Sequence, residues 1–344
     1  MKPPAQSITA CPLVFRPLLK HRVWGGDSLH KLGKPVAAGD RIGESWEIAD
    51  LPSSIPDGRS VVANGPLAGQ TLREIIAADH TLIMGGGMLT DDGGFPLLIK
   101  YLDAREHLSV QVHPTPVYAS THPGCHLKSE AWIVIDAQPG AVIYTGLNPS
   151  VRREDLRKHI ESGEVEDDLV AVPARRGDCI YLPSGTCHAL GAGVVLAEVQ
   201  TPSDTTFRVY DWGRTGRELH VEQALECITF GADAARPAQP TPPVQANGLE
   251  TRRLIATEYF VIERVDALRD AVVPFVSNGL PEVWMMIAGR GAMNSPGLAD
   301  VELSAGVTVL LPAGLHGASA RLERGAWMLR VQLPSPLKGK IART

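Results

Sequence analysis

The run LSVQVHP at 108–114 sets a glutamine and a histidine two residues apart inside a stretch that reads as a buried strand. Successive strand side chains point to opposite faces. Leu108, Val110 and Val112 therefore share one face, and Ser109, Gln111 and His113 the other. A buried row of polar groups is costly unless something satisfies it, and a metal ion or a polar substrate would. In HLKSEAWIVI, 126–135, Lys128, Glu130 and Trp132 share a face if the segment is a strand. Further on, GDCIYLPSGTCHALGAG at 177–193 brackets a strand between Gly177 and Pro183, turns at Gly185 and brings in His188. Gln111, His113, Glu130 and His188 form a donor set of two imidazoles, a carboxylate and an amide, with no thiolate. Zinc fits such a set, and iron, manganese or cobalt are compatible with it. Fewer than six protein donors leave positions open for water or substrate, as catalysis requires.

The elements that must position these residues are mostly strands. Short β-branched runs lie between scattered glycines and prolines, a pattern of many strands and tight turns. Strands are expected at 96–101, 108–113, 130–136, 141–145, 178–182, 194–200 and 205–210, then at 258–265, 282–288, 307–311 and 327–332. Two helical patterns interrupt them. AGQTLREIIAADH carries Thr71 as a cap with Glu74 three residues on. NPSVRREDLRKHIESGEVEDDLV, about 148–170, has Ser150 as a plausible cap and Gly163 as a stop. A proline-rich stretch at 233–248 reads as a linker. EAWIVIDAQPGAV (130–142) resembles EVWMMIAGRGAMN (282–294), and GDCIYLPSGTCHA (177–189) resembles GVTVLLPAGLHGA (306–318). The expected organisation is therefore two related β domains, 1–232 with a helical insertion and 249–344, joined by the linker.

Composition sets bounds on function. A net charge of −5 with pI near 6.1 points to neither nucleic acid nor an anionic membrane. No apolar stretch approaches the length of a membrane span, and the first residues lack the apolar core of a signal peptide. Five cysteines with no CxxC suggest reduced thiols and a cytoplasmic protein. IMGGGM (83–88) lacks the lysine–serine/threonine ending of a P-loop and reads as a turn. His107, His122 and His126 read as loop histidines, and Cys187 as an inert buried thiol.

The segment around His188 matches the second metal motif of cupin barrels, G-x5-P-x-G-x2-H. The first cupin motif is only partly met, with Gln111 and His113 in place of paired histidines and the glutamate late, at Glu130. The sequence resembles the type I mannose-6-phosphate isomerases (phosphomannose isomerases), which are zinc cupins. The resemblance is carried by RVWGG (22–26), IGESWEI (42–48), FPLLIKYLDA (95–104), LSVQVHP, KSEAW, PSGTCHALGAG and EVQTPSDTTFRVYDWGR (198–214). It implies a mainly β protein of two cupin-type (jelly-roll) barrels with a small helical insertion in the first. It also implies one Zn2+ per chain on Gln111, His113, Glu130 and His188. Arg208 occupies the family's catalytic arginine position. Lys128 and Glu198 match polar active-site positions, and Ser109, Lys100 and Arg214 match positions facing the sugar phosphate. Ser129, Thr115 and Pro116 depart from the residues common in the family, and none is a proposed ligand.

The activity so implied is reversible isomerisation of D-mannose 6-phosphate and D-fructose 6-phosphate through a zinc-stabilised enediol(ate). The partner is a small sugar phosphate, with no nucleic acid and no membrane. Glu198, Lys128 and a zinc-bound water are candidates for the proton shuttle. Two rivals are a non-catalytic sugar-phosphate-binding bicupin, which would have lost a ligand or Arg208, and a metal cupin oxygenase, which would favour iron. His316 lies in the second repeat without an upstream histidine, so that half reads as metal-free and structural.

Overall fold

The computed structural model describes residues 9–334; the outer parts of the two expected domains, 1–8 and 335–344, lie outside the described residues. A six-stranded antiparallel sheet runs in the order Leu18–Gly26, Ile42–Ile48, Leu98–Ala104, Val194–Gln200, Glu130–Ala137, Cys179–Leu182. Its strands alternate. In Leu98–Ala104, Ile99 and Tyr101 point one way, while Leu98, Lys100 and Leu102 point the other. Every residue of this strand is buried, so both faces of the sheet must be covered.

Each face has its own cover. Ile48, Ile99, Tyr101, Ala131, Ile133, Ala197 and Val199 join Val283, Met285, Leu310, Leu329 and Val331 in one apolar cluster. The second group comes from a seven-stranded sheet built mainly from the C-terminal half. On the opposite face Leu102, Trp132, Val134, Ile180 and Leu196 pack against Ile143, Val172 and Leu190, which belong to a three-stranded sheet of Ala189–Leu190, Val142–Leu147 and Leu169–Pro173. The two-stranded pair Val110–Val112 with Phe207–Tyr210 lies beside it. In the C-terminal half the seven-stranded sheet packs through Val265, Trp284, Met286 and Met328 onto a four-stranded sheet carrying Val273, Met293 and Ala320. Each half is thus a sheet-on-sheet unit with its own interior.

Two sequence expectations change. The stretch 233–248 is not wholly linker: Val244–Ala246 forms a hairpin with Leu249–Ala256, turned by Asn247 and Gly248, both at positive φ (53° and 84°). Asn-Gly is the pair that a two-residue hairpin turn favours. At the other end Leu13–Val14 pairs with Thr308–Leu311, so the start of the chain completes the sheet of the second half. The sequence pattern also passed over Leu18–Gly26, Ile42–Ile48, Leu169–Pro173 and Leu249–Ala256 as strands. Among the described residues no helix is long and apolar enough to cross a membrane.

The helix Leu72–Ala78 begins at the expected capping box, with Thr71 accepting from the Glu74 amide and Glu74 accepting from the Thr71 amide at 2.8 Å. The helix Arg153–Ser162 starts two residues later than Ser150 implied, capped at Arg152 by Asp155, and stops at Gly163 with φ 80°. Its His159 Nδ1 lies 2.7 Å from Asp168 Oδ2. That hydrogen bond, with the carboxylate's charge, raises the His159 pKa above its ordinary value near 6.5. A raised pKa contributes stability that is fully present below the unfolded value and is lost as pH rises through the folded one. His159→Gln should therefore speed amide exchange across residues 153–162 at about pH 5.5 and leave it equal to the parent at about pH 9. Equal exchange at the lower pH would show that the pair holds nothing.

Candidate metal centre and active-site cavity

Strand register brings the sequence-predicted residues together. Arg208 sits directly opposite Gln111, and Gln111 sits opposite His188 through a reciprocal pair of backbone hydrogen bonds, 2.9 and 2.8 Å. Residues opposite one another in antiparallel strands present their side chains on one face, so Arg208, Gln111 and His188 form a row. Glu130 opens its strand opposite Gln200 and Leu182. Glu198 lies between Lys100 and Trp132. His113 follows Val112, and its carbonyl accepts the Gly185 amide at 3.2 Å, tying the two motif segments together.

The ring hydrogen bonds fix the chemistry of both histidines. His113 Nδ1 faces the Thr205 carbonyl at 3.0 Å, and His188 Nδ1 faces the Thr186 carbonyl at 2.8 Å. A carbonyl only accepts, so each Nδ1 carries the hydrogen and each Nε2 presents a lone pair. Those lone pairs converge on Glu130 Oε1, at 3.0 Å from His188 Nε2 and 3.7 Å from His113 Nε2. All three side chains are essentially inaccessible, and among the described residues Glu130 Oε1 has no aligned hydrogen-bond donor, while Oε2 meets the Lys128 ammonium at 2.7 Å. Three buried acceptors aimed at one point are unfavourable without positive charge beside them; the Lys128 ammonium meets Glu130 Oε2 and His113 Nε2 from one side, and Glu130 Oε1 with His188 Nε2 faces the point that a metal ion would fill. The donor set, two imidazoles and a carboxylate, fits zinc. Burial, then the charge of Lys128, pushes His113 protonation down to about 3, which keeps its lone pair available.

Gln111 stands beside this set. Its amide nitrogen lies 3.4 Å from His188 Nε2, donating to the lone pair that a metal would use. Cation binding there requires the amide to turn and present its oxygen.

Lys128 Nζ reaches Glu130 Oε2 at 2.7 Å and His113 Nε2 at 3.1 Å. It is the last cation of an alternating row along the wall of a cavity of about 380 Å³. The row runs from Arg22 to Glu44 (2.8 Å), Lys100 (3.9 Å), Glu198 (3.8 Å), Lys128 (3.5 Å) and Glu130. Burial alone would raise the Glu44 carboxyl, but Lys100 and Arg22 bring it down to about 2. Burial pushes the Glu198 carboxyl up to about 8, with Glu130 adding to the rise and the two lysines opposing it. Burial disfavours charge on Lys128, yet Glu130 and Glu198 outweigh it and hold the ammonium.

Ser109, Lys100 and Arg208, all singled out in the sequence, line the cavity. Arg208 is anchored by one NH1 bond to the Glu218 carbonyl at 2.6 Å, and its Nε has no partner among the described residues. Arg214 is not among the residues that line the cavity. Its NH2 is spent on Asp211 (2.8 Å) and the His107 carbonyl (2.7 Å), and Arg217, three residues on, lines the cavity instead. Sequence reasoning also missed Arg22 and Glu44, although both lie in stretches singled out there, RVWGG and IGESWEI. Cys187 is buried, its thiol is pushed up to about 12 by burial, and it lies outside the His113–Glu130–His188 cluster.

The C-terminal repeat closes on itself. Glu282, the counterpart of Glu130, accepts from Trp284 Nε1 (2.8 Å), Arg330 NH2 (3.1 Å) and Gln332 Nε2 (2.9 Å). Arg330 stands opposite Trp284 as Glu198 stands opposite Trp132, so an arginine neutralises the carboxylate where the first half gathers histidines. His316 is exposed. His316→Ala should leave metal content by elemental analysis and turnover unchanged; a large fall in turnover of the folded variant would assign the second half a chemical role.

Comparison with known proteins places this geometry. Residues 14–131 match the family described as phosphomannose isomerase type I, catalytic domain. The chain is 36% identical over 307 residues to the mannose-6-phosphate isomerase of Streptococcus mutans, covering 88% of this chain and 92% of that protein. It is 37% identical over 318 residues to mannose-6-phosphate isomerase ManA of Bacillus subtilis, covering 90% and 95%. A crystal structure of the mannose 6-phosphate isomerase from Bacillus subtilis aligns with TM-score 0.82 and 29% identity over 94% of this chain and 99% of that one. The structure of a putative mannosephosphate isomerase from Archaeoglobus fulgidus shares the fold, with TM-score 0.74 and 20% identity over 96% and 100%.

Proposed function

The chain belongs to the type I phosphomannose isomerases, aldose–ketose isomerases of cupin fold, and from that premise we propose that it interconverts D-mannose 6-phosphate and D-fructose 6-phosphate by moving a proton between C1 and C2. The protein acts in the cytoplasm, and one zinc ion per chain would be held by His113, Glu130 and His188, with the Gln111 oxygen as a further donor once its amide turned. The observation that carries this reading is the convergence of two buried imidazole nitrogens and a buried carboxylate oxygen on one point beside a polar cavity that Glu130 lines.

The barrier is the formation of an enediol(ate) at neutral pH. A bound zinc supplies Lewis acidity that offsets negative charge on the substrate's carbonyl and hydroxyl oxygens. The side chains do the rest. Glu198 carries the proton: its Oε1 lacks an aligned donor, lies in the cavity wall and sits 3.5 Å from Lys128. Lys128 keeps its ammonium between the two carboxylates and donates to a substrate oxygen. Arg208 adds a fixed positive charge where the oxyanion develops. Ser109 and Lys100 hold the remainder of the sugar phosphate in place.

The test is elemental analysis of protein purified without added metal, combined with a coupled assay on mannose 6-phosphate. About one zinc per chain is expected, with turnover lost on chelation and restored by zinc. Metal-free protein that turns over at full rate, or metal-loaded protein that does not turn over, would overturn the reading.

A further inference from the structure

We propose that Arg22 is the residue that grips the phosphate of the substrate, assisted by Arg217 and Lys100. The inference rests on the proposed function, because it takes the carbonyl end of the sugar to lie at the His113–Glu130–His188 cluster.

The first observation is a loop built to deliver this side chain. In the strand Leu18–Gly26, His21 and Gly26 both stand opposite Ile42, so residues 22–25 bulge out of register. Three glycines let the bulge lie flat. A Cβ on Gly43 would sit 2.6 Å from the Trp24 ring and 2.7 Å from Arg22 Cβ. One on Gly25 would sit 2.4 Å from the Gly43 nitrogen, and one on Gly26 2.5 Å from Asp103 Oδ2. A side chain at Gly43 would push Arg22 and Trp24 away from the cavity they line, and one at Gly25 or Gly26 would meet the Gly43 backbone or Asp103 instead.

The second observation is what Arg22 has left to offer. Its Nε donates to Glu44 at 2.8 Å and its NH1 reaches the His21 carbonyl at 3.3 Å. Its NH2 has no partner among the described residues. Lys100 lies beyond hydrogen-bond distance from both flanking carboxylates, 3.9 and 3.8 Å, although it is 5% exposed and lines the cavity. Arg217 binds Asp211, which is not among the lining residues, through Nε and NH2, leaving NH1. Arg22, Lys100 and Arg217 thus line, with donors to spare, a cavity whose acidic lining residues are Glu44, Glu130, Glu198 and Asp204. Arginine is suited to such a grip because its planar fork matches phosphate oxygens.

The third is position. Arg22 and Glu130 are the two ends of the alternating charge row. A hexose 6-phosphate likewise carries its carbonyl and its phosphate at opposite ends. Arg214, the expected phosphate residue, is bound to Asp211 and the His107 carbonyl and does not line the cavity.

The experiment uses the full-length, metal-loaded enzyme. Binding of inorganic phosphate is measured calorimetrically, and kcat and KM for mannose 6-phosphate are measured separately, in the parent and in Arg22→Ala and Arg22→Gln. Both variants should weaken phosphate binding and raise KM by about tenfold or more, with kcat within about threefold of the parent. The glutamine variant keeps most of the side chain's bulk and guards against a folding defect in the alanine variant. Unchanged phosphate affinity with a fall in kcat would overturn the proposal and leave Arg22 as a prop for Glu44. A parent enzyme that binds phosphate but does not turn over mannose 6-phosphate would instead sink the functional reading, whatever Arg22 does.

Discussion

His188→Ala protein should emerge from purification without zinc and without measurable turnover. Three donors converge on one point, and His188 makes the shortest approach in the set, 3.0 Å to Glu130. Its ring is positioned at both nitrogens, by the Thr186 carbonyl on one side and the carboxylate on the other. Loss of a residue that merely orients a zinc ligand costs about 10–100-fold in affinity. Loss of the ligand itself should cost at least about a hundredfold, since a buried site offers no ready replacement. The truncation also removes the ring that meets Trp132 edge-on at 5.3 Å, so a denaturation curve must accompany the metal analysis. His113→Ala should behave alike, because its neutral ring contributes a second lone pair to the same point. A folded His188→Ala protein with undiminished zinc would remove the proposed centre.

The donors of this centre were legible in the sequence because two local rules apply to them. Period-two alternation put Gln111 and His113 on one face, and the spacing Gly177–Pro183–Gly185–His188 marked a strand, a turn and a ligand. The cavity wall was not legible in the same way. Arg22, Glu44, Lys100 and Glu198 meet because of the strand order of one sheet, and neighbours in that sheet come from segments far apart in the chain. Alternation says which face a residue takes but not which strand lies beside it. Arg214 entered through the resemblance, and nothing in the sequence drew attention to Arg217. Both lie in an irregular loop that turns through Trp212, Gly213 and Gly216 at positive φ, where no period assigns a direction. The hairpin at Asn247–Gly248 did carry its signal, but the surrounding prolines outweighed it in a reading by composition.

Arg208 is where the proposed chemistry can be separated from binding. Its strand position opposite Gln111 places it in the row that ends at His188, and it lines the same cavity as Glu130 and Lys128. Burial, then the neighbouring Arg217, lowers its pKa, yet a guanidinium remains cationic at any working pH. Its Nε is buried and has no partner among the described residues, while NH1 is fixed to the Glu218 carbonyl. The side chain is therefore held in place with a donor unspent, the arrangement expected of a group whose partner forms only as charge develops. Arg208→Ala should keep fold and zinc, lower kcat by about a hundredfold or more, and change KM far less. Arg208→Lys should recover only part of the rate, because a point charge cannot reproduce the planar fork. The measurement is steady-state kinetics on protein shown by elemental analysis to carry its metal. If KM rises instead and kcat holds, Arg208 belongs with Arg22 at the phosphate, and the charge at the oxyanion must come from zinc and Lys128 alone.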